Sequence, residues 1–231
     1  MKITARWLAI FSIVFSPLTV FAESPEVVHF TTGNRQVAYD IYGLASLGPI
    51  LILLHGASGP DVPLYRELAQ NFAAKNYTVF FLHYFDAADT HIASPQNYVA
   101  WETAVADLVQ VCKHDPRWSG RKIGLLGLSL GASVALAAGS QLVGVNAIAE
   151  WYGSLPDEFF YQLKGMPPLL ILHGARDDNI PVVNAQQLIS LCGMKNFTCE
   201  SHIYPGQGHG FRPPDFDDAV KRTLDFLSRE L

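Results

Sequence analysis

No cluster of lysines or arginines occurs anywhere in the 231 residues, and 16 basic residues face 21 acidic ones for a net charge of −5. A chain that binds nucleic acid or an anionic membrane surface carries a basic patch or stripe, so neither partner is expected. Cysteine is scarce. Cys112, Cys192 and Cys199 are the only three, and none forms a C-x-x-C pair, so a zinc site has no support. No lysine follows a glycine-rich loop in the pattern G-x-x-x-x-G-K-[ST], which excludes a P-loop phosphate site. There is no internal repeat, low-complexity tract or long linker. No apolar run reaches the roughly 20 residues that span a bilayer.

The longest apolar run reads as a leader. Lys2 and Arg6 give a positive start, residues 7–21 give an apolar core of about fifteen residues, and Val20-Phe21-Ala22 gives a small-residue cleavage site before Glu23. Residues 1–22 are therefore expected to be a signal peptide. The protein would be periplasmic or secreted, with no stable membrane association after cleavage. Without Lys2 and Arg6, 14 basic residues oppose 21 acidic ones and the net charge becomes −7. Residues 23–231 suit one α/β domain with a sizeable core. Export permits disulfides. Cys192 is expected to close a helix and Cys199 to open the next strand, near enough to pair. Cys112 falls on the apolar side of a helix and reads as a buried small hydrophobe.

Patterning supplies the elements. Residues 27–31 and 36–42 alternate apolar and polar around Gly33-Asn34, which predicts an antiparallel hairpin at a sheet edge. A fully apolar run at residues 50–54 and mostly apolar runs at 78–83, 122–126, 145–150 and 169–173 predict buried parallel strands, with a last strand at residues 199–204. Helices are expected at residues 63–75, from Ser94-Pro95 onward, after residue 130, at 182–191 and at 215–229. Ser94 supplies an N-cap and Pro95 the first helical position. Trp101, Val105, Leu108 and Cys112 mark the buried stripe of that second helix. Strands alternating with helices imply an α/β fold, a mostly parallel sheet with helices on both faces.

One stretch organises the chemistry. Gly127-Leu128-Ser129-Leu130-Gly131 reads G-x-S-x-G, preceded by an apolar strand and followed by the alanine-rich residues 132–138. Strand, sharp turn and helix form the context a nucleophile elbow needs. In a parallel sheet, ligands bind at the carboxyl ends of strands. Ser129, Asp177 and His209 each fall just after a strand, in the chain order Ser, Asp, His. Serine needs a base within hydrogen-bond reach, histidine exchanges protons near neutral pH, and the acid fixes the imidazole tautomer. Composition does not separate Asp177 from Asp178. His55, His83 and His173 each end a strand and read as turn-orienting. His29, His91, His114 and His202 have no supporting context. The oxyanion hole is expected at the N–H groups of Leu130 and Ala57. Tyr84, Trp151 and Tyr152 follow strands and are candidates to line the substrate pocket. About fifteen residues separate Gly153 from the strand at Leu169, too few for a lid domain, so the site is expected open or shallowly covered by Phe159, Phe160 and Tyr161.

His55-Gly56, Gly127-Leu128-Ser129-Leu130-Gly131, Trp151-Tyr152-Gly153, residues 173–181 and residues 204–211 together resemble the dienelactone hydrolase family of α/β-hydrolases. The resemblance covers nearly all of residues 23–231. It implies an α/β-hydrolase fold and a monomeric, cofactor-free and metal-free hydrolase of small ester-type substrates. It also implies a triad on Ser129, Asp177 and His209, since the family's acid lies four residues before the proline that is Pro181 here. Two positions depart from the family's founding members, which carry a cysteine nucleophile and a glutamate at the position resembling Gly56. Ser129 and Gly56 move the expected activity from dienelactone toward a general carboxylesterase. A peptidase or thioesterase on the same scaffold, and a non-catalytic binding protein, remain alternatives.

Overall fold

A computed structural model describes residues 25–231, so the expected signal peptide lies outside the described residues. Eight strands form one sheet in the order β1-β2-β4-β3-β5-β6-β7-β8. The strands are β1 (Glu26–Thr32), β2 (Arg35–Tyr42), β3 (Ile50–Leu54), β4 (Thr78–Leu82), β5 (Ile123–Leu128), β6 (Ala147–Trp151), β7 (Leu169–Gly174) and β8 (Cys199–Tyr204). β1 and β2 pair antiparallel as the expected edge hairpin, and β2 meets β4 antiparallel. From β4 onward every pairing is parallel.

Helices cover both faces because consecutive side chains of a strand point opposite ways. Ile50, Ile52 and Leu54 of β3 belong to the core on the face covered by α2 (Pro95–His114), α3 (Leu130–Ser140) and α5 (Val183–Lys195). Leu51 and Leu53 of the same strand pack under α1 (Pro63–Ala73) and α6 (Asp215–Glu230). β3 is therefore apolar at every position, as a strand buried on both faces must be. Ser94 caps α2, its Oγ accepting the Asn97 N–H at 3.2 Å.

Boundaries differ from expectation where side chains or backbone conformation intervene. β6 begins at Ala147, because the Asn146 side chain turns back to accept the Ile123 N–H at 2.9 Å. α5 continues to Lys195 and stops at Asn196, which adopts φ 55° in the left-handed region. Cys192 thus sits within the helix rather than closing it, and it is joined to Cys199 with a Cα–Cα distance of 6.2 Å. Cys112 is buried and free. Between β6 and β7 lies only the five-residue α4 (Asp157–Tyr161). Its Phe160 and Tyr161 line a hollow of about 420 Å³ with Met194 of α5.

Candidate active site

Ser129 stands between the last residue of β5 and the first of α3, at φ 56° and ψ −121°. Such a conformation costs on the order of 1–3 kcal/mol and persists only where the surroundings fix it. Here the glycines fix it. A Cβ on Gly127 would lie 2.3 Å from the Gly131 carbonyl oxygen, and one on Gly131 would lie 2.3 Å from the Leu54 carbonyl oxygen. The chain can turn this tightly only with hydrogen at both positions. The Ser129 N–H is held by the Trp151 carbonyl at 2.9 Å.

The Ser129 hydroxyl donates to His209 Nε2 at 2.8 Å, and His209 Nδ1 donates to Asp177 Oδ2 at 2.9 Å. Asp177 is the carboxylate that reaches the imidazole, while Asp178 is exposed. The other oxygen of Asp177 accepts two backbone N–H groups, from Asn179 at 2.9 Å and Ile180 at 2.8 Å. Its side chain has no solvent exposure, so these bonds satisfy a buried charge. His173 supports the loop, donating from Nε2 to the Ile180 carbonyl at 2.8 Å and lying 3.4 Å from Asp177 Oδ2. Burial pushes its pKa down, and the Ile180 bond opposes that.

His209 rides on the turn after β8. That turn lies directly against the end of β7, where a Cβ on Gly174 would meet the Gly208 carbonyl oxygen at 2.4 Å. The Arg176 N–H donates to the Gln207 carbonyl at 2.9 Å, tying the acid loop to the base loop. Tyr152 packs edge-on to His209 at 5.1 Å, and Phe211 packs on Tyr152 at 4.9 Å.

Both expected oxyanion donors are free. Leu130 opens α3, where the first N–H groups of a helix have no intrahelical acceptor and carry the positive end of its dipole. Ala57 lies in the turn closed by the Gly59 N–H on the Gly56 carbonyl at 3.1 Å, and its own N–H has no acceptor among the described residues. Position 56 is crowded by side chains. A Cβ there would lie 2.8 Å from Tyr65 Oη and 3.3 Å from Ser129 Cβ, so a glutamate would displace the Tyr65 hydroxyl.

Two expected pocket residues are corrected. Trp151 is fully buried, and its indole N–H donates to Thr223 of α6 at 2.9 Å. It faces the core because β6 puts that residue under α6. Tyr84 is fully buried too, stacked on His55 at 4.3 Å with its hydroxyl donating to the His55 carbonyl at 2.8 Å. Neither ring has surface to offer a substrate. His55 itself is sealed in this aromatic nest, and burial brings its pKa down to about 4. Tyr152 alone of the three candidates sets its ring against His209. Two further residues near the site carry no signal in the sequence. Tyr65 accepts the Gly56 N–H on its hydroxyl oxygen at 2.8 Å. Glu150, fully buried at the end of β6, accepts the Gly153 N–H at 2.8 Å, and burial pushes its pKa up to about 8. No group of three or more His, Cys, Asp or Glu side chains is placed to hold a metal among the described residues.

A serine on a strained strand-to-helix turn, with histidine and aspartate delivered by the loops after the last two strands, defines an α/β-hydrolase fold. Residues 48–227 match the model of the dienelactone hydrolase family, and the chain belongs to that family. A Methylorubrum extorquens protein described as a candidate carboxymethylenebutenolidase is 28% identical over 125 residues, 46% of this chain and 42% of that relative. The chain thus aligns with less than half the length of that curated relative. Among solved structures, a dienelactone hydrolase from Anabaena variabilis superposes with a TM-score of 0.70 at 15% identity, covering 90% of this chain and 100% of that one. A thermophilic esterase from the Planctomycetes species Thermogutta terrifontis gives 0.72 at 16% identity, covering 90% and 93%. Identities this low speak for the fold alone.

Proposed function

We propose that this protein is a serine hydrolase that cleaves carboxylic ester or lactone bonds of small substrates through an acyl-enzyme. The observation that carries this reading is the unbroken hydrogen-bond chain from Ser129 through His209 to Asp177.

As Ser129 Oγ attacks the carbonyl carbon, its proton passes to His209 Nε2. The carbonyl oxygen becomes an oxyanion and is met by the Ala57 and Leu130 N–H groups. Collapse of the tetrahedral intermediate breaks the bond to the alkoxy oxygen, which leaves with the proton from Nε2. Water then repeats the sequence on the acyl-enzyme, with His209 again taking and returning one proton, and the acid departs. Asp177 stays an anion throughout and stabilises the imidazolium. None of these steps calls on a metal or cofactor.

Export with cleavage after Ala22 belongs to the same proposal. The Cys192–Cys199 disulfide supports it, since such bonds persist in oxidising compartments. No helix among the described residues is long and apolar enough to cross a membrane. The test is Ser129→Ala on purified protein with p-nitrophenyl acetate, together with labelling by a fluorophosphonate. Turnover and labelling should both vanish in the variant. Full turnover without the hydroxyl, or labelling at another residue, would refute the reading.

A further inference from the structure

We infer that the Tyr65 hydroxyl is a third donor of the oxyanion hole, accepting the Gly56 N–H while presenting its own proton to the carbonyl oxygen held at Ser129. This rests on the serine-hydrolase reading above and adds a residue to it. The buried stripe of α1 is Tyr65, Leu68, Ala69 and Phe72. Tyr65 is its only member with a polar side-chain atom. Its ring is held near His55 at 6.1 Å and Phe81 at 5.9 Å, so the hydroxyl has little freedom to turn away.

A phenolic oxygen both accepts and donates. The accepting side is occupied by the Gly56 N–H at 2.8 Å. The donating side meets no acceptor among the described residues. A buried donor with nothing to donate to is costly unless a ligand completes it. Its location says which ligand atom that is. The point where a Gly56 side chain would begin lies 2.8 Å from Tyr65 Oη, 3.3 Å from Ser129 Cβ and 3.5 Å from the Leu128 carbonyl oxygen. Hydroxyl and nucleophile therefore flank the same side of Gly56, and the next residue along the loop is Ala57, whose N–H is also free among the described residues.

The chemistry suits the place. A hydroxyl that accepts a peptide N–H is polarised into a better donor. Burial raises the Tyr65 pKa, so the hydroxyl keeps its proton at neutral and alkaline pH. No proton is transferred. The hydrogen bond strengthens as charge develops on the carbonyl oxygen, which lowers the barrier more than it tightens substrate binding.

Tyr65→Phe removes one oxygen and keeps the ring. With p-nitrophenyl acetate, kcat should fall about 100-fold, in the range lost with one oxyanion donor, while KM stays within about threefold. Affinity for a trifluoromethyl ketone, whose adduct places an oxyanion in the same hole, should fall by the same factor as kcat. Both measurements are made below the melting temperature of the variant, so that unfolding does not enter. Ser129→Ala is measured alongside. If that variant still turns over, the serine-hydrolase reading fails and the inference goes with it. If Ser129→Ala is silent while Tyr65→Phe keeps its kcat, or loses only KM with unchanged ketone affinity, the role of Tyr65 alone is overturned.

Discussion

The two sides of the candidate site are built by different physics. The nucleophile side, from the end of β3 across the elbow to α3, is set by steric exclusion. Gly127 and Gly131 touch backbone where any Cβ would collide, and Ser129 is forced to φ 56°. The acid–base side, the loops after β7 and β8, is set mainly by polar bonds, with one steric seat where Gly174 lies against the Gly208 carbonyl. The Asp177 carboxylate alone accepts three hydrogen bonds within that region. The contrast predicts opposite vulnerabilities. Removing polar atoms should cost activity on the acid–base side, and adding volume should cost stability on the nucleophile side.

The largest effect tests the acid–base side. Asp177→Asn keeps shape and burial but leaves the imidazole without an anion and with the wrong tautomer held. Turnover should fall by about 10⁴-fold, as when a triad acid is replaced by its amide. Asp178→Asn, one residue away and exposed, should keep most of the wild-type rate. Steady-state kinetics at pH 7 decide between them, and a larger loss at position 178 would reverse the assignment.

The next effect tests the nucleophile side by volume. An alanine Cβ at position 131 would lie 2.3 Å from the Leu54 carbonyl oxygen and 2.4 Å from that of His55, both backbone atoms that cannot step aside. Gly131→Ala should cost about 3 kcal/mol, as overpacking of a tight core does. At roughly 2–4 °C per kcal/mol in a chain of this size, that lowers the Tm by about 6–12 °C. A Cβ added at Gly206, in the base loop, would meet nothing within 4 Å. Gly206→Ala should stay within about 0.5 kcal/mol of wild type. Equal losses at the two glycines would erase the distinction.

This division also explains what the sequence made legible. Ser129 and His209 could be read because each lies just after a strand, whereas Asp177 is separated from Asp178 only by the resemblance to the family, whose acid lies four residues before the proline that is Pro181 here. Gly127 and Gly131 could be read because the elbow motif states its own steric rule. The pocket aromatics could not. Trp151 and Tyr84 end or follow strands covered by helices on both faces, so no alternation of polar and apolar residues tells which way each ring points. Tyr65 lies at helical spacing with Leu68, Ala69 and Phe72, which predicts burial and is silent about where the hydroxyl goes. Glu150 is hidden inside an apolar strand, its one accepted N–H coming from a turn residue, Gly153. The end of α5 lies four residues beyond the expected one because it is set by Asn196 in a left-handed conformation.

Glu150, in β6 beside the elbow, is a buried polar group whose titration gives an effect of comparable size. Burial holds its pKa at about 8, against an ordinary value of 4.5. Below about pH 4.5 both folded and unfolded chains carry the proton, and this carboxyl costs the fold no charge. Between about pH 4.5 and 8 the folded chain keeps a proton that the unfolded chain has released, so stability falls as pH rises through that window and levels off above it. The loss is on the order of a few kcal/mol. Glu150→Gln keeps an oxygen for the Gly153 N–H and has no charge to bury. Urea midpoints at pH 5 and pH 8 should differ in the wild type and nearly coincide in the variant. An equal drop in both would mean that another group carries the dependence.

The smallest effect belongs to the disulfide, which lies on the acid–base side in sequence but not in space. Cys192 sits near the far end of α5, and Cys199 opens β8, whose other end delivers the turn bearing His209. A strand of six residues spans about 20 Å, so the bond is remote from the Ser129–His209–Asp177 chain. Its two half-cystines are only seven positions apart, and so short a closed loop restricts the unfolded chain by about 2.5 kcal/mol in the chain-entropy treatment. The active loops have their own ties, Arg176 N–H to Gln207 carbonyl and the tight seat of Gly174 under Gly208, which survive reduction. Cys192→Ser/Cys199→Ser should therefore unfold at lower urea by about that amount while kcat and KM remain at wild-type values below the transition. Denatured, unreduced wild-type protein should titrate with one free thiol, from Cys112. Three thiols would remove the bond altogether. A normal thiol count with a large fall in kcat would show that the His209 turn depends on the distant end of its strand, and that polar contacts alone do not hold the acid–base side together.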